Sequence, residues 1–147
     1  AIFQVYPNYE DFPKATFSPD LYNDNKYSIY ATYTAGNSAP NTPSLNLPID
    51  TATGVSTTPD LKTTATDPDS DSLKYKIQIA TDSNFTQNGR QPDASVSAAG
   101  WSAASYASGV QAVYTVQSAL TEDETYYWRS YAYDYDGSAT WSGTQSP

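Results

Sequence analysis

The sequence predicts an all-β chain, an antiparallel β-sandwich, on three observations. Segments of alternating apolar and polar residues recur along the chain, and they are bounded by Pro, Gly, Asn and Asp. No run has apolar residues at the helical spacing i, i+3, i+4 and i+7. In the clearest segment, residues 73–79, Leu73, Tyr75, Ile77 and Ile79 alternate with polar side chains. Such alternation predicts a strand with one face in the core and the other in solvent.

Shorter segments of the same kind complete the prediction. Leu45 and Leu47 alternate between two prolines, which is typical of an edge strand. The stretch 87–111, rich in Ala, Ser and Gly, predicts a long surface connection with one or two short strands, in which Trp101 closes the edge of the core. The predicted strands are residues 44–48, 60–66, 73–79, 113–116, 125–134 and 139–144.

The chain divides by composition into an N-terminal extension, residues 1–37, and the sandwich, residues 38–147. The extension contains two strand-like runs, residues 2–6 and 27–34, separated by a stretch that is rich in proline and asparagine. Residues 36–40 have the composition of a linker. We expect the extension to be an extra hairpin, a docking arm or the tail of a preceding domain.

Composition excludes several classes of partner. The chain has 7 basic and 16 acidic residues, a net charge of −9 and a pI near 4.1, so it repels nucleic acids and anionic lipid surfaces. No apolar stretch is long enough to cross a membrane. Cys, Met and His are absent, and the loss of both oxidisable sulfur residues fits an exposed, extracellular or cell-surface location.

The last third of the chain resembles fibronectin type III-like domains, the immunoglobulin-like β-sandwich modules of secreted and cell-surface prokaryotic proteins. Leu120 lies six residues before Tyr126, an alternating strand follows, and Asp134, Gly137 and Trp141 come next. Residues 64–85 are similar to the B–C region of such modules. The resemblance covers residues 38–146 and implies that Leu120 caps the core and that Tyr126 forms a tyrosine corner. The chain departs from the family pattern in two ways: strand B lacks a tryptophan, whose volume we expect Trp128 to fill, and we expect the last strand to be short or missing.

Five aspartates are candidate ligands of a metal ion. In the fold that the resemblance implies, the B–C and F–G loops leave the sandwich at the same end, so their carboxylates would converge. Clustered oxygen ligands of this kind bind Ca²⁺. The alternative is that these residues are turn formers that cap their own backbone. The candidate calcium ligands are Asp67, Asp69, Asp71, Asp134 and Asp136.

The solvent face of strands C and F is a candidate binding surface, because tyrosine and arginine are favoured at recognition sites and tyrosines stack on sugar rings. The alternative is Tyr–Lys packing across the strands that only stabilises an exposed sheet. The residues on this face are Lys74, Lys76, Tyr127, Arg129, Tyr131 and Tyr133. Asn84 lies in a single N-x-[ST] sequon and is a candidate for glycosylation.

Catalysis finds little support in the sequence, because a chain without His or Cys lacks the usual nucleophile–base pairs. We therefore expect a non-catalytic structural or adhesive module whose partners are other surface domains or copies of itself. The alternative is an accessory module that binds carbohydrate for a secreted enzyme.

A third possibility is self-assembly. Alternating residues near the N-terminus would form a strand that is donated to the open edge of the next subunit, and such head-to-tail contacts build filaments. The residues of this assembly strand are Ile2, Phe3, Val5 and Tyr6.

Overall fold

The computed structural model describes residues 36–86 and 89–136. The chain divides into two units, Ala1–Gly36 and Asn37–Pro147, and every described strand belongs to the second. The strand-like runs 2–6 and 27–34 and the predicted strand 139–144 lie outside the described residues. Within the described ranges there is no helix that is long and apolar enough to cross a membrane.

Five antiparallel strands form two sheets. One sheet has the order β1-β2-β4, and the other pairs β3 with β5. The five strands predicted at 44–48, 60–66, 73–79, 113–116 and 125–134 are all present, with limits that differ by up to two residues from the predicted ones. The one or two short strands predicted within 87–111 are single bridges instead. The strands are β1 (Ser44–Leu47), β2 (Asp60–Thr64), β3 (Lys74–Ala80), β4 (Ala112–Thr115) and β5 (Tyr127–Tyr133).

The two sheets share one core because alternate residues of β2, β3, β4 and β5 turn inward. In β1, Leu45 packs against this core, but Leu47 is exposed, so the alternation predicted for that strand is wrong. In β3, Tyr75 and Ile77 are fully buried, and in β5, Trp128 is 1% exposed. Leu61 of β2 and Ala112 of β4 belong to the same cluster from the other sheet. Burying side chains of this size contributes about 1.5–3 kcal/mol each, so the alternation read in the sequence supplies the main stabilisation of the fold.

The stretch between β3 and β4 is more ordered than a surface connection. Its residues Arg90 and Asp93 form single bridges with the free edge of β3, and Trp101 forms one with Tyr114 of β4. The Trp101 and Tyr114 rings lie 5.0 Å apart, and Trp101 is 8% exposed, as expected of a residue that closes the core. This stretch therefore adds single bridges to one edge of each sheet, beside β3 in one and beside β4 in the other.

Two tyrosine hydroxyls fix the ends of the sandwich. The backbone N–H of Thr121 donates to the Tyr126 hydroxyl at 3.1 Å, which is the tyrosine corner that the resemblance implies. At the other end, the Ala65 N–H donates to the buried Tyr75 hydroxyl at 2.9 Å. This second bond anchors the end of β2, where the first acidic loop begins.

Candidate functional site

The acidic end of the sandwich is the set Asp67, Asp69, Asp71, Asp134 and Asp136. Two adjacent residues of the segment that precedes β1 tie its loops together. The Asn37 side-chain amide donates to Asp134 Oδ2 at 2.9 Å, and the Ser38 N–H donates to Asp69 Oδ2 at 2.6 Å. Since neighbouring residues reach one carboxylate from each loop, the loop after β2, which carries Asp67 to Asp71, and the loop after β5, which carries Asp134 and Asp136, lie side by side, as expected from the resemblance.

Asp67 organises the first loop from a buried position. Its Oδ1 accepts the backbone N–H groups of Asp69 at 2.8 Å and Asp71 at 3.1 Å, and its own N–H donates to Ser108 Oγ at 2.8 Å. Only 5% of Asp67 is exposed. Its second oxygen, Oδ2, is buried and has no hydrogen-bond partner. Turn formation therefore occupies one oxygen of this carboxylate and leaves the other without a donor.

The carboxylates of the acidic end act on one another electrostatically. Partial burial, and then the charges of Asp67, Asp134 and Asp69, raise the pKa of Asp71 above its ordinary value. Asp134 is 7% exposed, and its Oδ1 accepts the Asp136 N–H at 2.9 Å. A cluster of like charges favours a cation at the same place, because the cation removes the repulsion that raises the pKa.

The arrangement meets the calcium prediction only in part. Within residues 36–86 and 89–136, no three acidic side chains are already close enough to hold one metal ion together. The turn-forming alternative is observed directly for Asp67 and Asp134, and yet Asp67 Oδ2 is left over. Calcium binding stays a prediction, and Asp67 is the residue on which it depends.

The predicted tyrosine face is assembled by the pairing of β3 with β5. Lys74 lies opposite Tyr133 and Lys76 lies opposite Tyr131. The rings of Tyr131 and Tyr133 are 6.2 Å apart and inclined by 35°. Tyr127, the remaining tyrosine of this face, lies opposite Ala80 at the far end of β5. The face is thus a short platform of two tyrosines rather than a continuous stripe of three.

One acidic residue on this face was not indicated by the sequence. The Tyr133 hydroxyl donates to Asp93 Oδ1 at 2.6 Å, and both the N–H and the Oγ–H of Ser95 donate to the same oxygen. Burial, and then the hydrogen bond to Asp93, raise the pKa of Tyr133. The groove that these residues share with Lys76 and Tyr131 has a volume of about 400 Å³. The D-A-S sequence at residues 93–95 is a turn signal that could have marked Asp93, but not its contact with β5.

Arg129 lies on the same face two residues before Tyr131, and its guanidinium is engaged by neighbouring side chains. Its Nε donates to Gln78 Oε1 at 2.6 Å, and its guanidinium lies 4.2 Å from the centre of the Phe85 ring. The candidate glycosylation residue Asn84 is exposed in the adjoining turn, and its N–H donates to Asp82 Oδ1. Asn84 is therefore accessible, and its modification stays a prediction.

A second groove, of about 650 Å³, lies at the opposite end of the sandwich. Its walls are the loop before β2, residues 52–59, and the turn before β5, residues 120–126. The turn carries Glu122, Asp123 and Glu124 together with Leu120 and Tyr126, and the loop before β2 contributes mostly small side chains. Neither groove contains a His or Cys side chain, because the chain has neither residue.

Comparison with known proteins agrees with the fold. No protein-family model matches the chain, and no curated protein does. Among solved structures, it is similar to the PKD domain of an M14-like peptidase from Thermoplasmatales archaeon SCGC AB-540-F20, with a TM-score of 0.52 and 24% identity over 76% of this chain and 95% of that one. The FN1–FN3 domains of chicken CNTN1 also match, with a TM-score of 0.41 and 17% identity over 74% of this chain and 31% of that one.

The chain therefore contains an antiparallel β-sandwich with the immunoglobulin-like fold of the PKD domain, and the predicted all-β sandwich class is confirmed. At this level of identity the likeness concerns the fold alone.

Proposed function

We propose that the chain is a non-catalytic structural module of an extracellular protein, which spaces, presents or joins neighbouring domains. The observation that carries this proposal is the filled core between two antiparallel sheets, with Trp128, Tyr75 and Ile77 at most 1% exposed, in the same fold as a PKD domain. Such a sandwich offers a filled, compact body, and the net charge of −9 keeps its surface acidic. The absence of oxidisable sulfur side chains supports an extracellular location.

Labelling of intact cells tests the location and role together. Antibodies raised against the whole chain are applied to cells that produce it, before and after permeabilisation, with an antibody to a cytosolic protein as control. We expect the chain to be labelled on intact cells, and brief surface proteolysis to remove the signal. Labelling that requires permeabilisation would contradict the proposal.

A finer form of the proposal is self-assembly through the assembly strand Ile2, Phe3, Val5 and Tyr6. These residues lie outside the described ranges, so the support is their alternating sequence and the tendency of sheet edges to accept an added strand. Light scattering of the purified full chain, with and without residues 1–7, is the test. A dispersed monomer at high concentration would remove the finer form and leave the structural module standing.

A second candidate function is carbohydrate binding, and the Tyr131–Tyr133 platform favours it. Two inclined rings lie beside the Asp93 carboxylate and Lys76 in a groove of about 400 Å³, an arrangement that offers stacking and hydrogen bonds together. Affinity electrophoresis in gels containing different polysaccharides is the test. We expect Tyr131→Ala to lose retardation and Tyr127→Ala, on the same face at the far end of β5, to keep it. Equal mobility of wild type in all gels would exclude this function for the polysaccharides used.

A further inference from the structure

The two oxygens of Asp67 have different surroundings. Oδ1 accepts two backbone N–H groups, whereas Oδ2 is buried and accepts none. A buried carboxylate oxygen without a donor is unfavourable, because it has lost water and gained nothing in return. The position of Asp67 therefore requires a partner that the described side chains and backbone do not provide.

Nearby donors are already engaged elsewhere. The Ser38 N–H is bonded to Asp69, the Asn37 amide to Asp134, and the N–H groups of Asp69 and Asp71 to Oδ1 of Asp67. Among residues 36–86 and 89–136, none of the hydrogen bonds to Asp67 or Asp69 comes from a lysine or arginine. The missing partner of Asp67 Oδ2 is therefore better sought outside these described residues.

We infer that the acidic end binds one Ca²⁺, with Asp67 Oδ2 as its buried ligand and Asp69 and Asp134 as ligands from the two adjoining loops. The buried, unpartnered oxygen carries the inference, and the bonds from Asn37 and Ser38 bring the other two carboxylates to the same end of the sandwich. Exposed backbone and water oxygens complete a coordination sphere of about six to eight ligands.

Calcium suits this end better than magnesium. Mg²⁺ needs near-ideal octahedral geometry and keeps several of its waters, whereas Ca²⁺ accepts irregular arrangements of carboxylate and carbonyl oxygens. The described carboxylates are not yet close enough to hold an ion as a group of three, so binding must draw the two loops together. A large, adaptable ion tolerates ligands from two loops.

Binding would also fix the segment that leads into β1. Asn37 and Ser38 are bonded to Asp134 and Asp69, so an ion that orders those carboxylates also orders the start of the sandwich. The inference does not depend on the proposed function, since the same site would serve a structural or a carbohydrate-binding module.

The test uses the full chain, treated with EDTA and desalted, in calorimetric titrations with CaCl₂ and with MgCl₂ and in thermal unfolding with each salt. We expect one Ca²⁺ per chain, a Tm raised by Ca²⁺, and weaker binding of Mg²⁺. The variants Asp67→Asn and Asp69→Asn should each weaken Ca²⁺ binding by about tenfold or more, since each removes one charged ligand. Asp67→Asn keeps an oxygen for the two backbone bonds, and Asp69 is exposed, so both variants retain the fold.

Asp82→Asn is the matched control, because Asp82 caps its own loop through the same two positions but lies outside the acidic end. It should bind Ca²⁺ as the wild type does. The absence of both heat and a Tm shift in the wild type would overturn the inference. Binding that Asp67→Asn leaves unchanged would overturn it equally, because the ion would then lie elsewhere.

Discussion

The loops that follow β2 and β3 have the same backbone motif in two different settings. Asp67 Oδ1 and Asp82 Oδ1 each accept the N–H groups two and four residues further on. Each aspartate carbonyl accepts the N–H three residues on, from Ser70 or Phe85. Both of these residues are in the left-handed region, at φ of 65° and 56°. The two loops therefore have the same aspartate-capped turn at the end of a strand.

The difference lies in what surrounds the two aspartates. Asp82 is half-buried and also accepts the Thr86 hydroxyl, whereas Asp67 is 5% exposed, with one oxygen unpartnered. The first loop carries further carboxylates at Asp69 and Asp71, and the second has an amide and a hydroxyl at the equivalent positions. Turn formation alone explains the Asp82 loop, whereas in the Asp67 loop it leaves one buried carboxylate oxygen without a donor.

The largest expected difference between the loops is the cost of removing each aspartate. Asp67→Ala leaves two N–H groups without acceptors beside a buried chain segment, which should lower the free energy of unfolding by about 2–3 kcal/mol. Asp82→Ala exposes its N–H groups to water and should cost about 1 kcal/mol or less. Urea unfolding in EDTA measures both. Equal losses would show that burial does not distinguish the loops.

The sequence was sufficient to predict the strands because their alternation is a local property. The burial of Leu73, Tyr75 and Ile77 follows from their spacing, whereas the corner at Tyr126 was implied by the resemblance to fibronectin type III-like domains. The acidic end was also predicted, since its loops belong to a known order of strands. The sequence contains no signal for which oxygen of Asp67 would be left without a donor, because that depends on packing from β2 and the loop at Ser108.

The tyrosine face was predicted less completely, because part of it depends on contacts between residues that are far apart in the sequence. The alternation of β5 places its tyrosines on one face, but the contact of Tyr133 with Asp93 joins residues that are 40 positions apart. Asp93 lies in a stretch with little alternation, and its place beside β3 is set by single bridges rather than by a strand. Long-range polar contacts of this kind leave no periodic trace in a sequence.

A smaller contrast concerns the left-handed residues of the two loops. A residue with a side chain costs about 1–2 kcal/mol at this φ, and glycine removes that strain from the folded state. Glycine also raises the conformational entropy of the unfolded chain, which offsets part of the gain. Ser70→Gly should therefore stabilise the chain by about 0.5 kcal/mol. Phe85→Gly should destabilise it by about 1 kcal/mol, because it also removes the ring that lies 4.2 Å from Arg129. Chemical unfolding of both variants, with Ser83→Gly as control, measures this, and stabilisation by Phe85→Gly would show that the Arg129 contact contributes little.

The smallest expected effect is a difference in sign between two aspartates as pH falls. Partial burial and neighbouring carboxylates raise the pKa of Asp71 above 3.8, so its ionised form opposes folding at neutral pH. For Asp93, burial acts to raise the pKa, but the hydrogen bonds from Tyr133 and Ser95 outweigh it and hold the pKa below 3.8. Its ionised form therefore favours folding above that value, and this contribution is lost as pH falls through the lowered pKa.

In EDTA at pH 7, Asp71→Asn should raise Tm slightly and Asp93→Asn should lower it. Below the ordinary aspartate pKa of 3.8 the gain of Asp71→Asn should vanish, because the wild-type side chain is then neutral in both states. The loss from Asp93→Asn should shrink only at still lower pH, because its native carboxylate protonates later. Thermal unfolding from about pH 7 to about pH 3 follows both. Changes in Tm of the same sign for both variants would mean that repulsion between carboxylates is not confined to the acidic end. The proposed electrostatic difference between the Asp67 loop and the rest of the sandwich would then be wrong.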